Sequence, residues 1–424
     1  MNIRFFILLL LPFFFIFTAN AQEPSLSGEV TLRECLQYAL QHSPQLKPYT
    51  FELLAQEGLV EQAGLPPNPE LELEAENLLG TGQFQGADSV EATVLIRQLL
   101  ERGNKRSLRV HAALTEKRLV QDEWELARIN VLYDTADAFL NLLAAQEQLS
   151  LQEEFFQVAQ KIYEAIRFRV EAGRSTPVEE IRARVLVAST KIELDRSLRE
   201  LEQARLALAK TWGSSIPQFT RAVGNLLPLP ASPDLPALLP QLAANPELRA
   251  ASTAVAQRQV ALRQEEAEAI PDITVGAGVR YLSENEDGAF VLGFSLPLPW
   301  RNRNQGAIRA ARERIGRAQA EYDASEAELQ NDLHTIFQDL LQAGEESSRI
   351  QQEILPAAEQ AFAAAQEGYR QGKFSYLDVL DAQRSFFELK VQAVGAAQHF
   401  HLAFNQIHRL VAQEVPNEFQ ERSP

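Results

Sequence analysis

The segment PELELEAEN, Pro69–Asn77, sets Leu71, Leu73 and Ala75 against Glu70, Glu72, Glu74 and Glu76 in strict alternation. A period of two belongs to a strand with one apolar and one wet face. A counterpart lies 202 residues on, where Ile273, Val275, Ala277, Val279 and Tyr281 alternate with Asp272, Thr274, Gly276, Gly278 and Arg280. Each run leads through a turn region into a second alternating run. Gly80, Gly82 and Gly86 precede Val90, Ala92, Val94 and Ile96, and the polar loop Ser283–Gly288 precedes Phe290, Leu292, Phe294 and Leu296. The spacing predicts two strand pairs, each strand about the 9–11 residues that a tilted strand needs to cross a bilayer.

The duplication reaches beyond the strands. Pro44-Gln45-Leu46 recurs as Pro246-Glu247-Leu248 at the same offset of 202, while Asn104 recurs as Asn304 and Gly173 as Gly372, at offsets of 200 and 199. A tandem repeat of about half the chain implies one structural unit copied once. The first copy is expected over 22–216 and the second over 241–415, with 416–424 as a tail. Seven of the 21 prolines fall between Pro217 and Pro246, so 217–240 reads as a linker that cannot be one helix.

A helix from about Thr31 to Gly64, interrupted at Pro44, opens the first copy. After each strand pair comes a long helical run. Arg102 to Glu171 holds no proline and only Gly103, and Val131, Thr135, Ala138, Leu142, Ala145 and Leu149 recur at spacings of four and three. Leu329, Leu333, Ile336, Leu340 and Ala343 do the same in Gln305–Tyr369, where Pro356 is a candidate bend. A continuous run of this length reaches about 100 Å, and its spacing suits coiled-coil-like packing. Each run then reverses at a glycine, Gly173 or Gly372, and returns over about Pro177–Trp212 and Tyr376–Gln413.

Residues 1–21 read as an export signal: Arg4, the apolar run Phe5–Phe17, and Ala19-Asn20-Ala21 as a cleavage site. Removing it would take the net charge from −17 to −18. An acidic chain argues against a nucleic-acid partner, because phosphate binding needs clustered Lys and Arg. Cys35 is the one cysteine, which excludes an intramolecular disulfide and a cysteine metal cluster; a buried, inert thiol is expected. His399 and His401 point apart on a helix, and His401 and His408 share a face without carboxylate company, so no metal site is assigned. No phosphate loop or catalytic triad string is present, and neither an enzyme nor a cofactor is expected.

Four strands cannot close a bilayer barrel, and an open edge in lipid leaves amides without partners. The chain must then oligomerise, and strand counting alone allows a dimer or a trimer.

The sequence resembles the TolC family of outer-membrane efflux channels over nearly all of the chain after the signal. The second strand-to-helix junction, PLPWRNRNQG (Pro297–Gly306), is similar to the PLP-x-x-x-RNQG string of the CzcC-like heavy-metal branch, with Trp300 and Arg301 as departures. Gly103-Asn104-Lys105-Arg106 resembles the GGKR string of the first junction. The resemblance implies a mainly helical chain that forms a homotrimer, with a twelve-stranded outer-membrane β-barrel above a periplasmic helical tunnel. It implies a periplasmic adaptor and an inner-membrane RND transporter as partners, with divalent heavy-metal cations as cargo.

The string YRQGKFSYLDVLDAQ (Tyr369–Gln383) resembles the tunnel-tip motif of the family. By matching positions, Asp378 and Asp381 would form acidic rings at the periplasmic aperture, and Tyr369 and Glu179 a gating pair. Three carboxylates around an axis would attract cations, although acids at a helix start also simply suit its dipole. Phe374 stands where the family has an arginine latch. Gly173, Arg174, Ser175, Gly372, Lys373, Phe374 and Ser375 are the expected adaptor-docking tips. Glu70, Glu72, Glu74 and Glu76 would face the barrel lumen, or form an ordinary exposed strand face. A multidrug or protein-secretion duct of the same shape, and a soluble periplasmic coiled-coil scaffold, remain alternatives; exposed apolar strand faces disfavour the scaffold.

Overall fold

A computed structural model describes residues 26–86, 88–413 and 415. The expected signal (1–21) and tail (416–424) lie outside these. In chain order the elements are β1 (Ser27–Val30), α1 (Leu32–His42), α2 (Lys47–Gly64), β2 (Glu70–Glu76), β3 (Glu91–Leu100), α3 (Lys105–Glu171) and α4 (Pro177–Thr211). There follow β4 (Gln218–Ala222), α5 (Leu235–Leu238), α6 (Pro246–Glu268), β5 (Ile273–Leu282), β6 (Asp287–Ser295), α7 (Gln305–Arg349), α8 (Leu355–Arg370) and α9 (Tyr376–Leu410). The run α2–β2–β3–α3–α4 thus has the same order of element types as α6–β5–β6–α7/α8–α9.

Four strands form one antiparallel sheet in the order β2-β3-β5-β6. Its register puts the alternation to use. Leu73 faces Val94, Val94 faces Val279, and Val279 faces Phe290, so Leu71, Ile96, Tyr281, Leu292 and Phe294 share one apolar face. That face is uncovered: Phe290 is 91% exposed and Leu292 85%. The other face carries the four glutamates together with Arg97 and Arg280. Arg97 pairs with Glu72 at 2.5 Å, and Arg280 reaches Glu91 at 2.8 Å, Glu76 at 3.4 Å and the Thr93 hydroxyl at 2.9 Å. Gly278 lies on this face because a Cβ there would collide with the Leu95 backbone. Each outer strand, β2 and β6, is paired on one side only.

Three details depart from the sequence expectation. The described residues hold six strands, not four, because β1 and β4 form a separate parallel pair. β4 falls within the proline-rich 217–240, so this segment builds structure as well as connecting. β2 has seven residues, shorter than the expected span. β1 and β4 were hidden because each is only four or five residues long, and one is stabilised by the other across nearly 200 residues of chain.

Both strand-to-helix junctions use an asparagine in the left-handed region, Asn104 (φ 62°) and Asn304 (φ 59°), directly before the long helices. Asparagine tolerates this backbone because its short polar side chain bonds locally. Asn304 Nδ2 donates to the Glu265 carbonyl at 2.9 Å and carboxylate at 2.7 Å. At the first junction the Lys105 ammonium donates to Asp272 at 2.8 Å, and the Arg102 amide donates to the same carboxylate at 2.8 Å. Burial alone would raise the Asp272 carboxyl, but these donors hold it below its usual value.

α3 runs 67 residues without a break, about 100 Å. Its counterpart is interrupted: Ile350–Ile354 forms a π-helical turn before α8. Proline cannot donate to, and clashes with, the preceding turn. The π-turn places Pro356 in the first turn of α8, where no such bond is required.

The main core joins α1, α3, the end of α4, the small sheet and α9, with Phe139, Leu140, Leu142, Trp212 and Phe219 essentially inaccessible. Cys35 lies in it, and burial raises its thiol to about 12, so it is inert at neutral pH. A second cluster packs Leu238, Leu242 and Leu248 against Leu333 and Leu340 of α7 and Phe404 and Ile407 of α9. The periodic residues Val131, Thr135, Ala138, Leu142 and Ala145 are all buried, as are Leu329, Leu333, Leu340 and Ala343. No described helix is long and apolar enough to cross a membrane.

Candidate functional site

The two helical hairpins end side by side in turns of one design. After α3, Gly173 (φ 68°) is left-handed, its amide donates to the Val170 carbonyl at 2.9 Å, and the Arg174 amide donates to the Arg169 carbonyl at 2.8 Å. After α8, Gly372 (φ 73°) repeats this, with its amide on Tyr369 O at 3.0 Å and the Lys373 amide on Gly368 O at 2.8 Å. These are paired Schellman closures, which need a residue free of a Cβ penalty at positive φ. Thr176 and Ser375 then cap the returning helices, accepting from the amides of Glu179 and Asp378 at 3.4 Å each.

Within that common frame the side chains differ. Asp378 turns back on its own cap: its Oδ2 accepts from the Ser375 amide at 2.8 Å and hydroxyl at 2.7 Å, a complete capping box. The Ser375 donors hold its carboxyl below the usual range. Glu179 stands at the equivalent place but reaches across to the other hairpin, where the Tyr369 hydroxyl donates to its Oε2 at 3.3 Å. The Tyr369 oxygen also lies 3.3 Å from Ser175 Oγ. The Arg169 guanidinium sits 4.6 Å from the centre of the Tyr369 ring, and the Tyr376 ring packs 6.0 Å away. Tyr376 is buried, and burial, with Tyr369 and Glu179 nearby, raises its phenol.

The structure therefore brings together Tyr369, Glu179 and Ser175. Asp381 is exposed on α9, one turn beyond Asp378. Gly173, Arg174, Gly372, Lys373 and Phe374 are exposed at the tips. The Phe374 ring lies directly on Gly368, where any Cβ would strike it. Sequence reading missed Arg169, Tyr376 and Gly368. Their partners are 200 residues away or on the next turn, and no local pattern marks them.

The glutamates of the four-stranded sheet lie on one face as the alternation requires; Glu72 and Glu76 have arginine partners there. His401 is buried with Nε2 2.9 Å from the Leu226 carbonyl, and burial lowers its pKa. His408 lies against Phe404, ring centres 4.5 Å apart. Among the described residues no group of three or more His, Cys, Asp or Glu is placed to hold a metal ion.

The family model "Outer membrane efflux protein" matches this chain in two stretches, residues 35–214 and 240–413. The chain is 33% identical over 387 residues to the cobalt-zinc-cadmium resistance protein CzcC of Cupriavidus metallidurans, covering 91% of both proteins. Among solved structures it superposes on CusC with a TM-score of 0.74 at 19% identity, covering 90% of this chain and 91% of that one. On the outer membrane protein VceC of Vibrio cholerae the TM-score is 0.71 at 23% identity, covering 91% and 97%. The fold, the hairpin turns and these matches converge: the chain belongs to the outer membrane efflux protein family.

Proposed function

We propose that three copies of this chain form an outer-membrane exit duct for divalent heavy-metal cations. An inner-membrane RND-type transporter and a periplasmic adaptor deliver the cargo. The observation that carries this reading is the four-stranded sheet: it has one apolar uncovered face, one charged face and two unpaired edges. In lipid such edges must be closed by other strands. Three sheets give twelve strands, a size within the range of bilayer barrels. The apolar face meets lipid, and Glu70, Glu72, Glu74 and Glu76 line the lumen. The long hairpins continue as a periplasmic tunnel, and the chain arose by duplication of one unit.

The cation cargo rests on the likeness to CzcC, a protein whose name carries cobalt, zinc and cadmium resistance. The duct contributes neither chemistry nor energy; the tip turns dock the adaptor, and the Tyr369–Glu179 contact holds the entrance narrow. Asp381, with Asp378 beside it, gives the entrance its negative field. A strain lacking this protein, challenged with a panel of metals and drugs, tests the reading. Sensitivity to divalent metals that the full-length gene restores supports it. Sensitivity to organic compounds alone assigns a multidrug duct instead, and a monomer that needs no detergent overturns the channel.

A further inference from the structure

We propose that the two strand-to-helix junctions form a basic, aromatic collar that binds the phosphates of anionic phospholipid at the helix end of the barrel. The inference rests on the barrel reading above. Register pairs Leu100 with Ile273 and Thr274 with Ser295, so β3 and β6 hand over to their helices at the same end of the sheet. In a chain of net charge −17, residues 297–312 carry four arginines and no acid. Arg301 and Arg303 are exposed there, and Arg102 and Arg106 are exposed at the first junction. The neighbouring Lys105 and Arg109 are occupied by Asp272 and Glu101. Among the described contacts, Arg301 and Arg303 meet no carboxylate; Arg303 Nε donates only to the Pro299 carbonyl at 3.4 Å.

Beside these cations stand apolar side chains that nothing in the chain covers. Trp300 is 81% exposed and Leu298 67%. They follow the uncovered Phe290, Leu292 and Phe294 along the chain, in the segment that leads from β6 to α7. The loop that carries them is built rather than slack: Trp300 N donates to Leu298 O at 2.9 Å, Gln305 Nε2 to Arg301 O at 3.2 Å and Arg303 N to Gln305 Oε1 at 2.9 Å. An indole at the edge of an apolar band suits the headgroup level of a bilayer. A guanidinium beside it matches a phosphate by charge and by forked donors. Continuity with the lipid face, together with this charge, selects a lipid surface over a second copy of the chain as occupant.

The test uses the full-length protein in vesicles of phosphatidylcholine with one quarter phosphatidylglycerol, either lipid being brominated in turn. Brominated lipid should quench wild-type tryptophan emission, with brominated phosphatidylglycerol quenching at lower mole fraction. Trp300→Phe should remove this quenching, because Trp212 is buried in the core and the half-buried Trp124 lies about 28 Å along α3 from the junction. Arg301→Gln with Arg303→Gln should leave quenching by brominated phosphatidylcholine intact. It should weaken the preference for phosphatidylglycerol by roughly tenfold. Equal quenching of wild type and Trp300→Phe places the indole under another subunit and overturns the collar. An unchanged phosphatidylglycerol preference in the arginine variant does the same. Planar-bilayer conductance separates the two readings: channels without lipid preference refute the collar alone, and protein that never inserts refutes both.

Discussion

The Tyr369 hydroxyl donates to Glu179 at 3.3 Å, joining the tip of the second helical hairpin to the start of α4 in the first. Glu179 is the third residue of its helix, as Asp378 is of α9, and the offset of 199 that relates Gly173 to Gly372 also relates these two acids. The second hairpin spends its acid on its own cap, the first on a cross-hairpin bond. The two turns thereby differ, and the Glu179 bond, with Ser175 beside it, ties the hairpins together through Tyr369.

Tyr369→Phe deletes the hydroxyl and keeps the ring on Arg169. A hydrogen bond to a half-exposed carboxylate contributes about 1 kcal/mol, and in the proposed trimer three copies would act on one entrance. The variant should show larger conductance or more frequent opening in planar bilayers than wild type, with unchanged trimer stability. Arg169→Ala should act in the same direction by releasing the ring, worth about 0.5–1 kcal/mol. Conductance identical to wild type in both variants removes the contact from gating.

The two aspartates should separate experimentally. Both aspartates are exposed, but the Asp378 carboxylate is committed to Ser375. Block of single-channel current by polyvalent cations should weaken most in Asp381→Asn. In Asp378→Asn the main change should be faster amide exchange in the Ser375–Leu380 turn. Since the Asp378 carboxyl is held low in the folded state, its contribution is present above the unfolded carboxylate pKa and is lost as pH falls through the folded one. The protection factors of these amides, referred to the slower intrinsic exchange at each pH, should therefore fall on acidification below the ordinary carboxylate range. Equal loss of block in both variants would show that Asp378 faces the pore in spite of its cap.

Gly368 and Phe374 test whether a packed aromatic does the holding at the second hairpin turn. The ring occupies the space of a Cβ on Gly368. Gly368→Ala should expel it and cost about 1–2 kcal/mol of local stability. Phe374→Ala, at a half-exposed ring, should cost less. The double variant should be more stable than the sum of the single effects predicts, since the collision is gone. Additive effects in hydrogen exchange of the tip would mean that the ring is free to move aside.

The strand pairs and the long helices were readable because each follows one period over many residues: Leu71, Leu73, Val94, Ile96, Val279 and Phe290 all fall on the face their alternation assigns. Asn104 and Asn304 were visible as a recurrence, and the structure supplies the cause, a left-handed residue before each long helix. Elements set by distant partners were not readable. β4 is a strand only because β1 lies beside it, and Arg169 matters only because Tyr369 folds over from the other hairpin. Pro356 marked an irregularity, but a π-turn and a kink are equally consistent with a proline, and the choice is made by packing. The tip showed the same limit: a matching acid at each helix start gave no sign that Glu179 and Asp378 would turn opposite ways.

Asp137 gives the packing of α3 on α9 a pH response away from the tip. It lies on α3 against α9, with Asn405 Nδ2 donating to it at 3.1 Å, and with Asp134, Tyr133 and Arg409 as its ionisable neighbours. Burial raises its carboxyl to about 6, against the Asn405 bond and Arg409, which lower it. Raised in the folded state, the group binds more protons folded than unfolded, so stability falls as pH rises from about 4 to about 6. A shift of this size corresponds to at most about 3 kcal/mol. Asp137→Asn keeps an acceptor for Asn405 and carries no charge. Its melting temperature should exceed that of wild type at pH 7.5, and the two should converge near pH 4. A variant less stable than wild type at both pH values would mean that the carboxylate is needed by Arg409 more than it is penalised by burial.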